Sequence, residues 1–169
     1  MRSALLAAAL VALSCLPAAA QTAMDGLRAE LAAVKAQVMT AANKAPESIY
    51  GYQPTPEVFT LRKQFLHIAD ASYSICASFK GTPGQRPKVN ADAPLPKADV
   101  VAALTGAFAF CDAAFQAATD ATLAETMKTA NGSVRMKSYH AAHLLAHTGL
   151  HYGNVVTYMR LNKLSPGDQ

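Results

Sequence analysis

The sequence predicts an all-α fold, a four-helix bundle whose helices run up, down, down, up, and three observations carry that prediction. Four segments repeat apolar residues every three to four positions, the period of a helix with one buried face. No stretch shows the apolar-polar alternation of a half-buried strand. Two cysteines, Cys76 and Cys111, stand at similar depths in the second and third segments, so they meet only if those two helices run parallel.

Ahead of the bundle, residues 1–20 carry Arg2, an apolar run from Ala4 to Leu13 and then Pro17-Ala18-Ala19-Ala20. This is the order of a secretory signal peptide, with the mature chain expected to begin at Gln21. The run is too short to span a bilayer, and no other uninterrupted apolar stretch is long enough, so no membrane association is expected after cleavage. Residues 21–169 then form a single domain. The expected location is periplasmic or secreted, and in such an oxidising compartment Cys76 and Cys111 are expected to form a disulfide.

The first helix covers residues 22–44, with Met24, Leu27, Leu31, Val34, Val38 and Ala41 on its apolar stripe. Pro46, Gly51 and Pro54 make residues 45–55 an ordered connection, with Tyr50 and Tyr52 at the mouth of a pocket. The second helix starts between Pro56 and Leu61, capped by Thr55 or Thr60, and ends near Lys80 and Gly81. Its core stripe is Leu61, Phe65, Ile68, Ile75 and Phe79, which leaves His67 on another face with Gln64, Ala71, Ser74 and Ser78. Four prolines in residues 81–96 preclude a regular element, and these sixteen residues reach up to about 50 Å, enough to climb back along a helix of about 30 Å. The third helix covers residues 97–118, with Val101, Leu104, Phe108, Cys111 and Phe115 on one side. A polar link follows, with a helical turn around residues 123–128. Asn131-Gly132-Ser133 reads as a turn in which Ser133 caps the next helix, rather than as a glycosylation acceptor. The fourth helix covers residues 134–162 and stops before Pro166.

Charge excludes some partners. The formal charge is +4, falling to +3 when Arg2 leaves with the leader, and the basic residues are scattered without interleaved aromatics, so no nucleic acid is expected. The expected partner is a small-molecule substrate or ligand, with a homodimer left open.

The chemistry concentrates on the fourth helix, in His147-Thr148-Gly149-Leu150-His151. Two histidines four residues apart stack on one helical face about 6 Å apart, so both rings can converge on one ion. Thr148 stands where a helical zinc protease carries its glutamate, which argues against that chemistry. Two ligands are too few for a divalent ion, and the third must come from His67, His140 or His143. The up, down, down, up order runs the fourth helix antiparallel to the second and brings His67 within reach. Three neutral imidazoles suit zinc or nickel first, with iron and manganese also open, and leave positions for water or substrate. A haem protein is disfavoured by the lack of a Cys-x-x-Cys-His site.

The stretch Phe65-Leu66-His67-Ile68-Ala69-Asp70, together with His147 to Gly153 and Tyr158-Met159-Arg160-Leu161, resembles the DinB-like (YfiT-like) metalloenzyme family over nearly the whole mature chain. The resemblance implies a four-helix bundle of the same topology and one divalent metal held by His67, His147 and His151. Related members include thiol-dependent transferases and a maleylpyruvate isomerase. Many members carry glutamine where this chain has Asn154. Asp70, His140, His143, Tyr152, Asn154 and Tyr158 are expected around the site, as supports for its ligands or as pocket walls; no catalytic residue is singled out. The functional expectation is an exported metal-dependent enzyme of transferase or hydrolase type. A metal or small-ligand binding module without turnover is the alternative.

Overall fold

The computed structural model describes residues 21–129 and 132–167; the expected leader, residues 1–20, lies outside them, as does Asn131 of the turn. Helix α1, Ala23–Lys44, begins where Thr22 accepts from the Asp25 amide and Asp25 accepts in return from the Thr22 amide, a reciprocal cap. Asp120, far along the chain, accepts from the amides of Ala23 and Met24 and closes the same end. After α1 the chain makes a short 3-10 turn, Glu47–Ile49.

Helix α2, Leu61–Lys80, is capped by Thr60, which accepts from the Lys63 amide. It ends on Gly81 at φ 83°, a left-handed conformation that favours glycine. From there the crossover loop climbs back beside α2 and is pinned at successive heights. Asp70 accepts from the Arg86 guanidinium at 2.6 Å and from the Val89 amide at 3.0 Å, and about two turns higher Lys63 pairs with Asp92 at 2.6 Å.

The climb delivers the chain to the top of helix α3, Lys97–Gln116, where the Lys97 ammonium donates to the carbonyls of Asn43 and Ala45 at the end of α1. Helices α2 and α3 therefore run parallel, and Cys76 and Cys111 are joined in a disulfide with Cα atoms 5.3 Å apart. By length and composition α3 is apolar enough to cross a membrane. In the bundle, however, Val100, Leu104, Phe108, Cys111 and Phe115 are buried, and Asp112 is paired with Lys35 of α1.

Two expectations fail between α3 and the last helix. A short helix α4, Asp120–Ala124, appears, and the turn expected at residues 123–128 is instead partly strand: β1, Thr126–Lys128, pairs antiparallel with β2, Val134–Met136. Gly132, at φ 84°, supplies the positive φ that the tight connection needs. The strands are too short to show a period of two, which is why the sequence pattern misses them. Ser133 consequently does not cap the final helix. Helix α5, Lys137–Leu161, begins three residues later than expected, after Met136, with no side-chain cap.

Helix α5 runs antiparallel to α2 and beside α1, completing the up, down, down, up bundle of α1, α2, α3 and α5. All five residues of the predicted α2 stripe are buried, and Phe79 packs on Phe115 with ring centres 4.9 Å apart. Burying each such side chain contributes about 1.5–3 kcal/mol.

Candidate metal centre

The antiparallel contact between α2 and α5 sets His67, six residues into α2, opposite His147 and His151 in the middle of α5. Their ligand atoms all lie within 4.8 Å of one another. Nε2 of His67 is 3.2 Å from Nε2 of His147. Two nitrogens bound tetrahedrally to one zinc at the usual ~2.0–2.1 Å would be separated by roughly 3.3 Å, so this pair already has the spacing of two ligands to a common ion. Ring centres of His67 and His147 lie 4.4 Å and 4.6 Å from that of His151. The three histidines fit a divalent ion in number, donor type and separation.

Their protonation state fits as well. Burial lowers the pKa of all three, and the charges of neighbouring histidines add to the effect at His147 and His151, with His151 brought to about 4. At neutral pH the rings are uncharged and have a lone pair to offer.

Gln64 shares the face of His67 in the helical pattern, and the structure gives it a role. Gln64 is 3% exposed, its Nε2 donates to the Tyr158 hydroxyl at 3.5 Å, and its Oε1 lies 2.8 Å from Nδ1 of His151. The amide group with its oxygen towards His151 requires that Nδ1 carry the proton and donate. Nε2 of His151 is then left free to bind an ion, the arrangement by which a supporting group fixes a ligand's tautomer. Tyr158 is itself held edge-on by Tyr52, ring centres 6.0 Å apart. Phe59, also passed over in the sequence, stacks on His151 and meets His67 edge-on at 5.6 Å. The signal for both was position: Gln64 is one turn before His67, and Phe59 lies just ahead of the Thr60 cap.

The remaining residues expected around the site divide among several roles. Asp70 is committed to Arg86 and Val89, which hold its carboxyl below the usual range despite burial; it reaches His67 only through its charge. His140 is buried, and its Nε2 has no hydrogen-bond partner among the described residues. His143 is exposed and stacks on Tyr139 at 5.6 Å, and its ring centre is also 5.6 Å from that of His147. Tyr152 is buried and Asn154 exposed. Tyr50, expected at a pocket mouth, is instead fully buried and donates to the Ala42 carbonyl.

Compared with known proteins, residues 30–155 match the sequence profile of the DinB superfamily. A DinB-like protein from Bacillus cereus ATCC 10987 has a similar structure, with a TM-score of 0.75 at 17% identity over 88% of this chain and 98% of that one. YfiT from Bacillus subtilis, described as a probable metal-dependent hydrolase with an unusual four-helix bundle topology, gives 0.67 at 17% identity over 84% and 89%. A mycothiol-dependent maleylpyruvate isomerase gives 0.63 at 12% identity over 79% of this chain and 61% of its own. No protein of curated function matches the sequence. At these identities the structural likenesses speak for the fold, while the profile covers well over half of the sequence: the chain belongs to the DinB superfamily.

Proposed function

We propose that this protein is an exported, metal-dependent enzyme of transferase or hydrolase type that binds one divalent ion through His67, His147 and His151 and acts on a small molecule. The observation that carries the reading is the convergence of three neutral imidazole nitrogens within 4.8 Å from two antiparallel helices. Zinc and nickel suit this donor set first, with iron and manganese next. When bound, such an ion supplies a Lewis acid with coordination positions that the protein does not fill.

The protein's own residues prepare that role. Gln64 orients His151, Phe59 covers the rings on one side, and burial keeps the histidines unprotonated. YfiT's description as a probable metal-dependent hydrolase supports the hydrolase arm, and the isomerase's dependence on mycothiol supports the thiol-using one. Export rests on the leader-like residues 1–20 and is consistent with the Cys76–Cys111 disulfide.

Elemental analysis of protein recovered from its native compartment, with its intact mass, tests the whole reading. One divalent ion per chain and a mass beginning at Gln21 are expected. A metal-free chain that takes up none on titration would overturn the metal assignment, and a full-length cytoplasmic form would overturn export.

A further inference from the structure

Six large apolar side chains are exposed among the described residues, and five of them stand on β2 and α5: Val134, Met136, Tyr139, Leu150 and Leu161. The three on α5 are eleven residues apart, and eleven residues make three turns plus about 20°. Tyr139, Leu150 and Leu161 therefore form one straight stripe along the outer side of the helix. His143, Ala146 and Thr157, all exposed, lie along it. From Ser138 to Met159 the helix carries no Asp, Glu, Lys or Arg.

Two glycines accompany the stripe. Gly149 and Gly153 are exposed in the interior of α5, where each costs about 1 kcal/mol relative to alanine. Packing within the chain does not require them: a Cβ at either would meet nothing within 4 Å, and neither has a positive φ. With Ala142 and Ala146 they keep one side of the stripe low, so that another backbone can approach closely.

An exposed apolar face of this length marks a docking surface, and its pattern identifies the occupant. A lipid surface would be met by Lys and Arg along the flanks of the apolar residues, and this stretch has none. A second copy of the chain fits without conflict. In a two-fold dimer one surface faces itself, so any charge on it must be accommodated twice. With the two α5 helices antiparallel and the axis at Leu150, the even spacing of the stripe makes it self-complementary. The two copies of Leu150 meet at the axis, Tyr139 of each copy faces Leu161 of the other, His143 faces Thr157, and no like charges are opposed. A contact strip about 37 Å long and about 10 Å wide is small for a stable interface, which corresponds to a dimer of micromolar affinity.

We propose that the outer stripe of α5 is the interface of an antiparallel, two-fold homodimer centred on Leu150. The stripe borders the histidine centre through His143, whose ring centre is 5.6 Å from that of His147, so the second copy walls one side of the approach to that centre. The interface itself stands on the apolar stripe and the two glycines, and is independent of the metal-dependent reading.

Sedimentation velocity of the mature protein, at concentrations from about 1 to 200 µM, tests it. A reversible equilibrium between monomer and dimer is expected. Leu150→Asp sets two carboxylates face to face at the axis and should weaken association about tenfold or more, with the helical circular-dichroism signal retained. Tyr139→Asp should weaken it as well, and adding Leu161→Lys should restore much of the loss, since these two positions face each other only across the axis. Both end substitutions suit the dipole of α5, so folding should be retained, and this pair decides the matter should Leu150→Asp fold poorly. Gly149→Ala combined with Gly153→Ala should stabilise the monomer and weaken the dimer. A chain that stays monomeric throughout the range, a dimer indifferent to Leu150→Asp, or a loss at Tyr139→Asp that Leu161→Lys does not repair would each overturn the inference.

Discussion

Helix α2 presents two flanks, and they are built on different terms. Towards α3 it offers Cys76 and Phe79, both buried, with Phe79 packed on Phe115 and Cys76 bonded to Cys111. Towards α5 it offers Gln64 and His67, facing two half-buried imidazoles and a tyrosine hydroxyl. Polar atoms inside a protein must find partners, and uncharged nitrogens that face one another at 3.2 Å contribute little to stability by themselves. The apolar flank fixes the position of α2 so that the polar flank can hold its histidines in one place. The same twenty residues thus serve stability on one side and chemistry on the other.

Substitutions that separate the two flanks should reveal the difference. The largest effect belongs to the α3 side: Phe79→Ala should destabilise the protein by about 3–5 kcal/mol in denaturant unfolding, with metal stoichiometry unchanged in the folded fraction. Replacing both cysteines by alanine removes a bridge across 35 residues and should cost roughly 3–4 kcal/mol in the chain-entropy account. The folded double variant should still bind metal. If it does not, the two flanks are coupled more closely than their contacts indicate.

Gln64→Leu should do the opposite. Without an acceptor for Nδ1, His151 loses its fixed tautomer, and metal affinity measured by competition with a chelator should fall about 10–100-fold. A loss in affinity no larger than that of Ser78→Ala would show that Gln64 does not orient the ligand.

A further effect concerns pH. In metal-free protein the pKa of His151 falls from the ordinary 6.5 to about 4, first through burial, and those of His67, His140 and His147 are lowered as well. The unfolded chain therefore takes up protons between pH 6.5 and about 4 that the folded chain does not. Their contribution to stability is complete above pH 6.5 and is lost as pH falls through that window. Urea midpoints of the chelated protein should decline over this range, and His151→Gln should flatten the decline. A midpoint that rises on acidification would contradict the depressed values.

Much of this organisation is legible in the chain. Periodicity locates the long helices, because one-sided burial imposes it, and Thr60 and Gly81 mark the ends of α2 through their capping chemistry. The depths of Cys76 and Cys111 carry the parallel pair and thereby the topology. The hairpin of β1 and β2 is not legible: three-residue strands have no measurable period, and exposed Val134 and Met136 look like the start of the adjoining helix. Within the site, His147 and His151 stand out because helical spacing alone aligns them. Gln64 and Phe59 do not, since their significance depends on what the other helix places opposite them. Asp70 is legible only in part: its closeness to His67 in sequence suggests a supporting role, and its charge does act on His67, but its hold on the crossover loop depends on Arg86 and Val89, which only the fold brings to it.

The most direct test of the central claim is metal content per chain across a series of single alanine substitutions, after saturation with zinc and removal of excess. His67→Ala, His147→Ala and His151→Ala should each lose most of the one equivalent that the unsubstituted protein retains, while His140→Ala and His143→Ala should keep it. A full equivalent in His67→Ala with loss in His143→Ala would contradict the account, placing the ion along α5 alone instead of between α2 and α5.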